Sequence, residues 1–268
     1  MIAPDLRTNN NGIGEGILKM KNRMTSRYIT IATIAACAFI YGLVVATYKV
    51  FPFEQIVYVK GLFVAPPDVA EDAEEAKEIE RFKVYYLDKK SFFEKQTTRA
   101  DIVMVGDSLV DGAEWAELLP NTSVVNRGIA GDSIAGVLNR MDSIHSAGAK
   151  KMFVMLGYND LRKATPVNEV FANYKAVIEN ILARGKAQPY IQSTLFVGHG
   201  LIEWNRKIAQ LNKLLELYAK EKDLVFIDLN AALAANGELG PAFTRDGIHL
   251  NGAGYELWGR VIKPYLGE

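Results

Sequence analysis

Ile102-Val103-Met104-Val105-Gly106-Asp107-Ser108 is the stretch on which the reading of this chain turns. An unbroken β-forming, apolar run ends in a small, polar, bendable turn, the pattern of a buried strand that delivers one serine to the end of a sheet. In an open α/β sheet ligands bind outside the carboxyl ends of the strands, so Ser108 is the candidate nucleophile. Glycine, aspartate and serine also favour turns on their own account. The weight of the motif therefore depends on what surrounds it.

Downstream, strands and helices alternate. Leu109–Leu119 reads as a helix ending before Pro120, Thr122–Asn126 as a second strand, and Ser133–Ile144 as a helical pattern. Lys151–Leu156 is a third strand closed by Gly157-Tyr158-Asn159-Asp160, and Val167–Arg184 carries apolar residues at helical spacing. Tyr190–Val197, Asn205–Lys220, Leu224–Leu229 and Tyr255–Leu266 continue as strand, helix, strand and helix. This alternation predicts a three-layer α/β/α domain on a five-stranded parallel sheet with right-handed crossovers. The loops after the first three strands then carry Ser108, Gly131 and Asn159 on one edge. The last loop, Thr244–Asn251, supplies Asp246 and His249, whose spacing of three lets both side chains reach one point.

Gly106-Asp107-Ser108, Asn126–Asp132, Gly157–Asp160 and Asp246–Asn251, in this order, resemble the SGNH, or GDSL, hydrolase superfamily. The likeness is to its branch of platelet-activating-factor acetylhydrolase subunits and small bacterial acylhydrolases, and it covers about residues 80–268. It implies a flavodoxin-like sheet and an oxyanion hole formed by the backbone N–H groups of Ser108 and Gly131 and the side-chain amide of Asn159. Tyr158 stands where many members carry a smaller residue, and no lid or acyl tunnel is recognisable, which argues against long-chain lipid substrates.

In chemical terms Ser108 attacks an ester carbonyl, His249 takes and returns the proton, and Asp246 holds the imidazole. No Gly-x-Ser-x-Gly elbow surrounds Ser108, which argues against the α/β-hydrolase arrangement. Of the other histidines, His145 falls in a helix as a surface residue. His199, between two glycines after the fourth strand, lies on the correct edge but has no nearby acid. Candidate substrate contacts are Asp107, Tyr158, Phe196 and His199, with Phe243 also above the sheet edge. Asp107 and Asp160 are read as braces of their loops, since no His- or Cys-rich cluster accompanies them; no metal and no cofactor is expected.

Lys plus Arg and Asp plus Glu are 31 each, so nothing favours a nucleic-acid partner. Cys37 is the single cysteine, which excludes an intrachain disulfide. Residues 1–27, with Asn9-Asn10-Asn11 and four basic residues from Lys19 to Arg27, are expected to be a cytoplasmic disordered tail. Tyr28 to Tyr48 holds no charge and is long enough to span a bilayer, so 28–50 is expected to be a transmembrane helix. The positive-inside bias puts the rest of the chain outside. A cleaved signal peptide with a site near Val44 and Ala46 is the competing reading, and Ile34-Ala35-Ala36-Cys37 resembles a lipoprotein site that ranks below a plain anchor. Residues 51–80 form a stem or linker, with seven acids and one lysine between Asp68 and Glu80, and 81–268 the hydrolase domain.

The expected function is that of a membrane-anchored serine esterase facing the periplasm or cell exterior, and the family resemblance implies short-chain esters, acetyl esters among them, of small molecules, lipids or glycans as substrates. A glycan O-acyltransferase and a catalytically inactive binding module are the alternatives.

Overall fold

Five short strands, β1 (Ile102–Gly106), β2 (Val124–Gly128), β3 (Lys151–Met155), β4 (Gln188–Gln192) and β5 (Val225–Ile227), pair in parallel in the order β2-β1-β3-β4-β5. This is the flavodoxin-like order, in which the direction of winding reverses between β1 and β3. The computed structural model describes residues 69–96 and 98–267, together with Tyr41 and Thr47. The chain divides into two compact units, Met1–Glu74 and Glu75–Glu268, and the sheet belongs to the second. The expected tail, nearly all of the 28–50 segment and the first part of the stem lie outside the described residues. Among the described residues no helix is long and apolar enough to cross a membrane.

The central strand explains the layering. All five residues of β1 are buried, as a parallel strand covered on both faces must be. Val103 and Val105 point into one core with Ile134, Val154, Ile178, Ile191 and Leu211. Ile102 and Met104 point into the other with Phe153, Met155, Leu229 and Trp258. Helices Val167–Ala183 and Ile202–Glu221 bury apolar residues in the first core and Gly252–Ile262 in the second. Truncating one such fully buried side chain to alanine costs roughly 2–5 kcal/mol.

Two expected helices are broken. Leu109–Leu119 is instead two four-residue helices, Ser108–Asp111 and Trp115–Leu118. The amide of Asn126 on β2 donates to the carbonyls of Val110, Asp111 and Ala113, taking acceptors that a continuing helix would use. The pattern from Ser133 is likewise split into Ile134–Leu138 and Met141–His145, because Arg140 between them turns inward. β4 is shorter than the run Tyr190–Val197 suggests: after Gln192 the chain leaves the sheet, and the backbone of Thr194, Phe196 and Val197 is held by Asn212, Asn230 and Asn205.

One helix, Val69–Lys95, runs unbroken through residues 80 and 81, where the sequence reading drew the junction between stem and hydrolase domain. Its Glu75–Lys95 portion is fastened to the loops of the sheet. Tyr85 donates to Asp111 at 2.7 Å, Lys89 pairs with the same carboxylate at 2.8 Å, and Tyr86 donates to the Gly136 carbonyl at 3.0 Å. Phe93 is buried with the Arg127 guanidinium 4.8 Å from its ring centre.

Candidate active site

Ser108 opens a helix directly after β1. Asp107 precedes it as the cap, its carboxylate accepting the Leu109 N–H at 3.1 Å. Capping fixes the direction in which the chain leaves the strand and so sets the serine at the sheet edge. The Ser108 hydroxyl lies 3.0 Å from His249 Nε2, and His249 Nδ1 lies 2.7 Å from Asp246 Oδ2. These three side chains, from opposite ends of the domain, form one continuous hydrogen-bonded chain.

Local structure explains how Asp246 and His249 meet. Oδ1 of Asp246 accepts the backbone N–H groups of Ile248 and His249 at 2.9 and 2.8 Å, an Asx-type turn that folds the loop back on itself. Partial burial pushes against the charge of Asp246, but the imidazole bond, the two backbone donors and the nearby histidine outweigh it. The carboxyl is held well below the usual range. Asp246 is therefore ionised at any ordinary pH and fixes the orientation of the His249 ring.

Gly131 and Asn159 border the same site. Gly131 has φ +75°, a conformation that side chains rarely adopt. Gly157, at φ +113°, reverses the chain after β3 and starts the helix Tyr158–Arg162, which carries Asn159. One amide hydrogen of Asn159 is used on the Asp132 carbonyl at 2.9 Å, which leaves the second available. A cleft of about 900 Å³ opens over this edge, and Ser108, Gly131, Tyr158, Asn159 and His249 all line it.

A buried brace that sequence reasoning missed holds the loops. Arg140 is fully buried and pairs with Asp132 at 2.9 Å. Its other nitrogens donate to the carbonyls of Arg127 on β2 and Gly106 on β1. Asp160 accepts the Ile134 N–H with both carboxylate oxygens. Burial raises the carboxyl of Asp132 to about 6 against the opposing pull of Arg140, and raises that of Asp107 to about 7.

Three expected substrate contacts stand elsewhere. Asp107 is buried and occupied as a cap. Phe196 packs against the core, and its backbone is tied to Asn230. His199 is exposed and lies against Gly247, in the loop that carries Asp246 and His249. None of the three lines the cleft, and only Tyr158 does. Phe243, also expected above the edge, packs with the second core. His145, read as a surface residue, is half-buried and bonded to Asn180 at 3.0 Å. Among the described residues no cluster of His, Cys, Asp or Glu could hold a metal ion.

The other omission is the wall opposite the loops. Ile79, Phe82 and Tyr86 of the N-terminal helix line the cleft. Their spacing of three and four is a helical stripe, a signal that the surrounding run of acids masked.

Comparison with known proteins agrees with this architecture. A structure from Streptococcus pneumonia, provisionally assigned as a platelet activating factor, superposes with TM-score 0.67 at 25% identity over 75% of this chain and 100% of that one. A catalytic mutant of an acetylxylan esterase from Geobacillus stearothermophilus shares the fold, with TM-score 0.53 and 16% identity over 65% of this chain and 96% of that one. An N-acylneuraminate cytidylyltransferase of Streptococcus agalactiae is 23% identical over 186 residues, 69% of this chain and 43% of that protein. The chain thus spans less than half the length of the curated relatives it matches. The model of the GDSL-like lipase/acylhydrolase family matches residues 104–257, more than half of the chain, and the protein accordingly belongs to that family.

Proposed function

We propose that the protein removes a short acyl group, acetyl foremost, from a glycan or lipid alcohol by way of an acyl-enzyme on Ser108. The observation that carries this is the chain Ser108–His249–Asp246, with links of 3.0 and 2.7 Å beside Gly131 and Asn159. In the first half-reaction the Ser108 oxygen bonds to the ester carbon while its proton passes to His249 Nε2. The carbon–alkoxy bond then breaks, and the same proton goes to the departing alcohol oxygen. In the second half a water, deprotonated by His249, bonds to the acyl carbon, the bond from that carbon to the Ser108 oxygen breaks, and His249 returns the proton to Ser108 as the acid leaves. The N–H groups of Ser108 and Gly131 and the free amide hydrogen of Asn159 receive the charge that develops on the carbonyl oxygen. A cleft of about 900 Å³ far exceeds an acetyl group and leaves most of its room for the alcohol. The acetylxylan esterase neighbours support a glycan acetyl ester.

Fluorophosphonate labelling of wild type against Ser108→Ala, followed by a panel of acetyl to decanoyl esters, tests the reading. Labelling that survives the substitution sinks it. Anchoring through residues 28–50, with the catalytic domain on the outer side of the cell membrane, is supported by the uncharged run Tyr28–Tyr48 and the basic residues before it. Recovery of the full chain in the soluble fraction would refute that anchoring.

A further inference from the structure

Phe82 borders two cavities. Phe82 lines the active-site cleft and also a second groove of about 720 Å³ beside the same helix, whose walls are Val84, Tyr85 and Ala130 together with the charged Lys77, Glu80, Arg81 and Asp88. Phe82 and Ala130 are the two residues common to both linings. The ring is pressed against the oxyanion loop: a Cβ built on Gly131 would lie 3.0 Å from its Cδ1 and 3.4 Å from its Cγ. Nor is the helix free to move aside. Asp111 accepts from Tyr85 and pairs with Lys89 while also accepting the Ala130 N–H at 3.0 Å, so one carboxylate joins the Phe82 helix to the loop that Phe82 touches.

The directions around a reacting carbonyl carbon say what the ring would meet. With Ser108 as nucleophile, one substituent is the serine oxygen, the oxyanion faces Gly131 and Asn159, and the alcohol oxygen faces His249, which must protonate it. The acyl carbon takes the remaining direction, away from His249. We propose that Phe82 closes the acyl end of the cleft and so sets the limit on acyl length, separating the site from the second groove, which could otherwise take a longer chain. This inference rests on the acyl-enzyme reading above. It places a determinant of specificity outside the segment that matches the family, which begins at residue 104.

The test uses 4-nitrophenyl esters from acetate to decanoate, one alcohol with a varied acyl chain, and acetate esters of several alcohols, one acyl group with a varied alcohol. Each buried methylene is worth about 0.8 kcal/mol, close to fourfold. Opening the groove by Phe82→Ala should therefore raise the octanoate-to-acetate ratio of kcat/KM by about tenfold or more, and Phe82→Trp should lower it. Leu87→Ala, on the exposed side of the helix and away from both linings, should leave the ratio as in wild type. Thermal unfolding of each variant separates misfolding from altered choice, and Phe82→Leu serves if the alanine variant does not fold. A ratio that does not move, a uniform loss on every chain length, or a change confined to the alcohol series overturns the proposal while Ser108-dependent hydrolysis stands. Absence of any Ser108-dependent hydrolysis overturns the acyl-enzyme reading itself.

Discussion

The two walls of the cleft are built in different ways. On the sheet side Ser108, Gly131 and Asn159 follow the ends of β1, β2 and β3, Asp246 and His249 stand on the last loop, and the loops after the strands are braced by buried polar contacts: Arg140 ties Asp132 to β1 and β2, and Asp160 caps the Ile134 turn. On the helix side Ile79, Phe82 and Tyr86 are presented by a segment held through the side chains of Tyr85, Tyr86, Lys89 and Phe93. The first wall is over-determined by its own backbone, whereas the second is attached. Chemistry belongs on the first, and choice of substrate can vary on the second without disturbing it.

Substitutions break or sharpen that contrast. Ser108→Ala should abolish turnover on all esters alike, by roughly 10⁴-fold or more in kcat, as read by ester hydrolysis and loss of fluorophosphonate label. Arg140→Met leaves Asp132 buried without its cation and should cost about 3–5 kcal/mol, measured by urea unfolding. Unaltered stability would show that the sheet-side loops do not depend on this brace. Asn159→Ala should reduce kcat by about 100- to 1,000-fold, roughly 3–4 kcal/mol, again equally across acyl lengths. A loss that depends on chain length would place Asn159 on the wrong wall.

Smaller effects separate the walls by pH and by stability. Asp107 has its carboxyl raised from 3.8 to about 7 by burial. The folded chain thus keeps a proton that the unfolded chain releases above about pH 4, so stability falls as pH rises toward about 7 and is flat beyond. Asp107→Asn keeps an acceptor for the Leu109 N–H and should flatten that decline by roughly 1–3 kcal/mol in urea melts at about pH 5 and about pH 8. An unchanged slope would assign the decline to Asp132. Tyr85→Phe removes a single exposed bond from the helix side. It should cost under about 1 kcal/mol, leave acetate turnover close to wild type, and show up only as a small loss of chain-length discrimination.

The central strands β1 and β3 were legible because parallel, doubly covered strands read as nearly continuous apolar runs, and their site loops because each such run ends in a turn. The breaks within the early helices were not. Asn126 draws away carbonyls from a segment 13 to 16 residues earlier, and Arg140 reaches a carbonyl 34 residues away. No local pattern encodes such a reach. Asp107 shows a different limit: a polar residue beside a nucleophile looks like a substrate contact until its burial and its cap are seen. For the N-terminal helix it was the apolar face that composition masked: seven acids between Asp68 and Glu80 suggested a solvated helical stem, while the stripe Ile79, Phe82, Tyr86 faces the cleft.

The serine and its base are 141 residues apart, and the helix that follows the base locks onto the first through the Tyr255 hydroxyl and the Leu109 carbonyl. A growing polypeptide released from synthesis before this last segment docks would carry a nucleophile with no base. Hydrolysis thus requires that the tail of the domain has docked, which makes ester turnover a readout of finished folding.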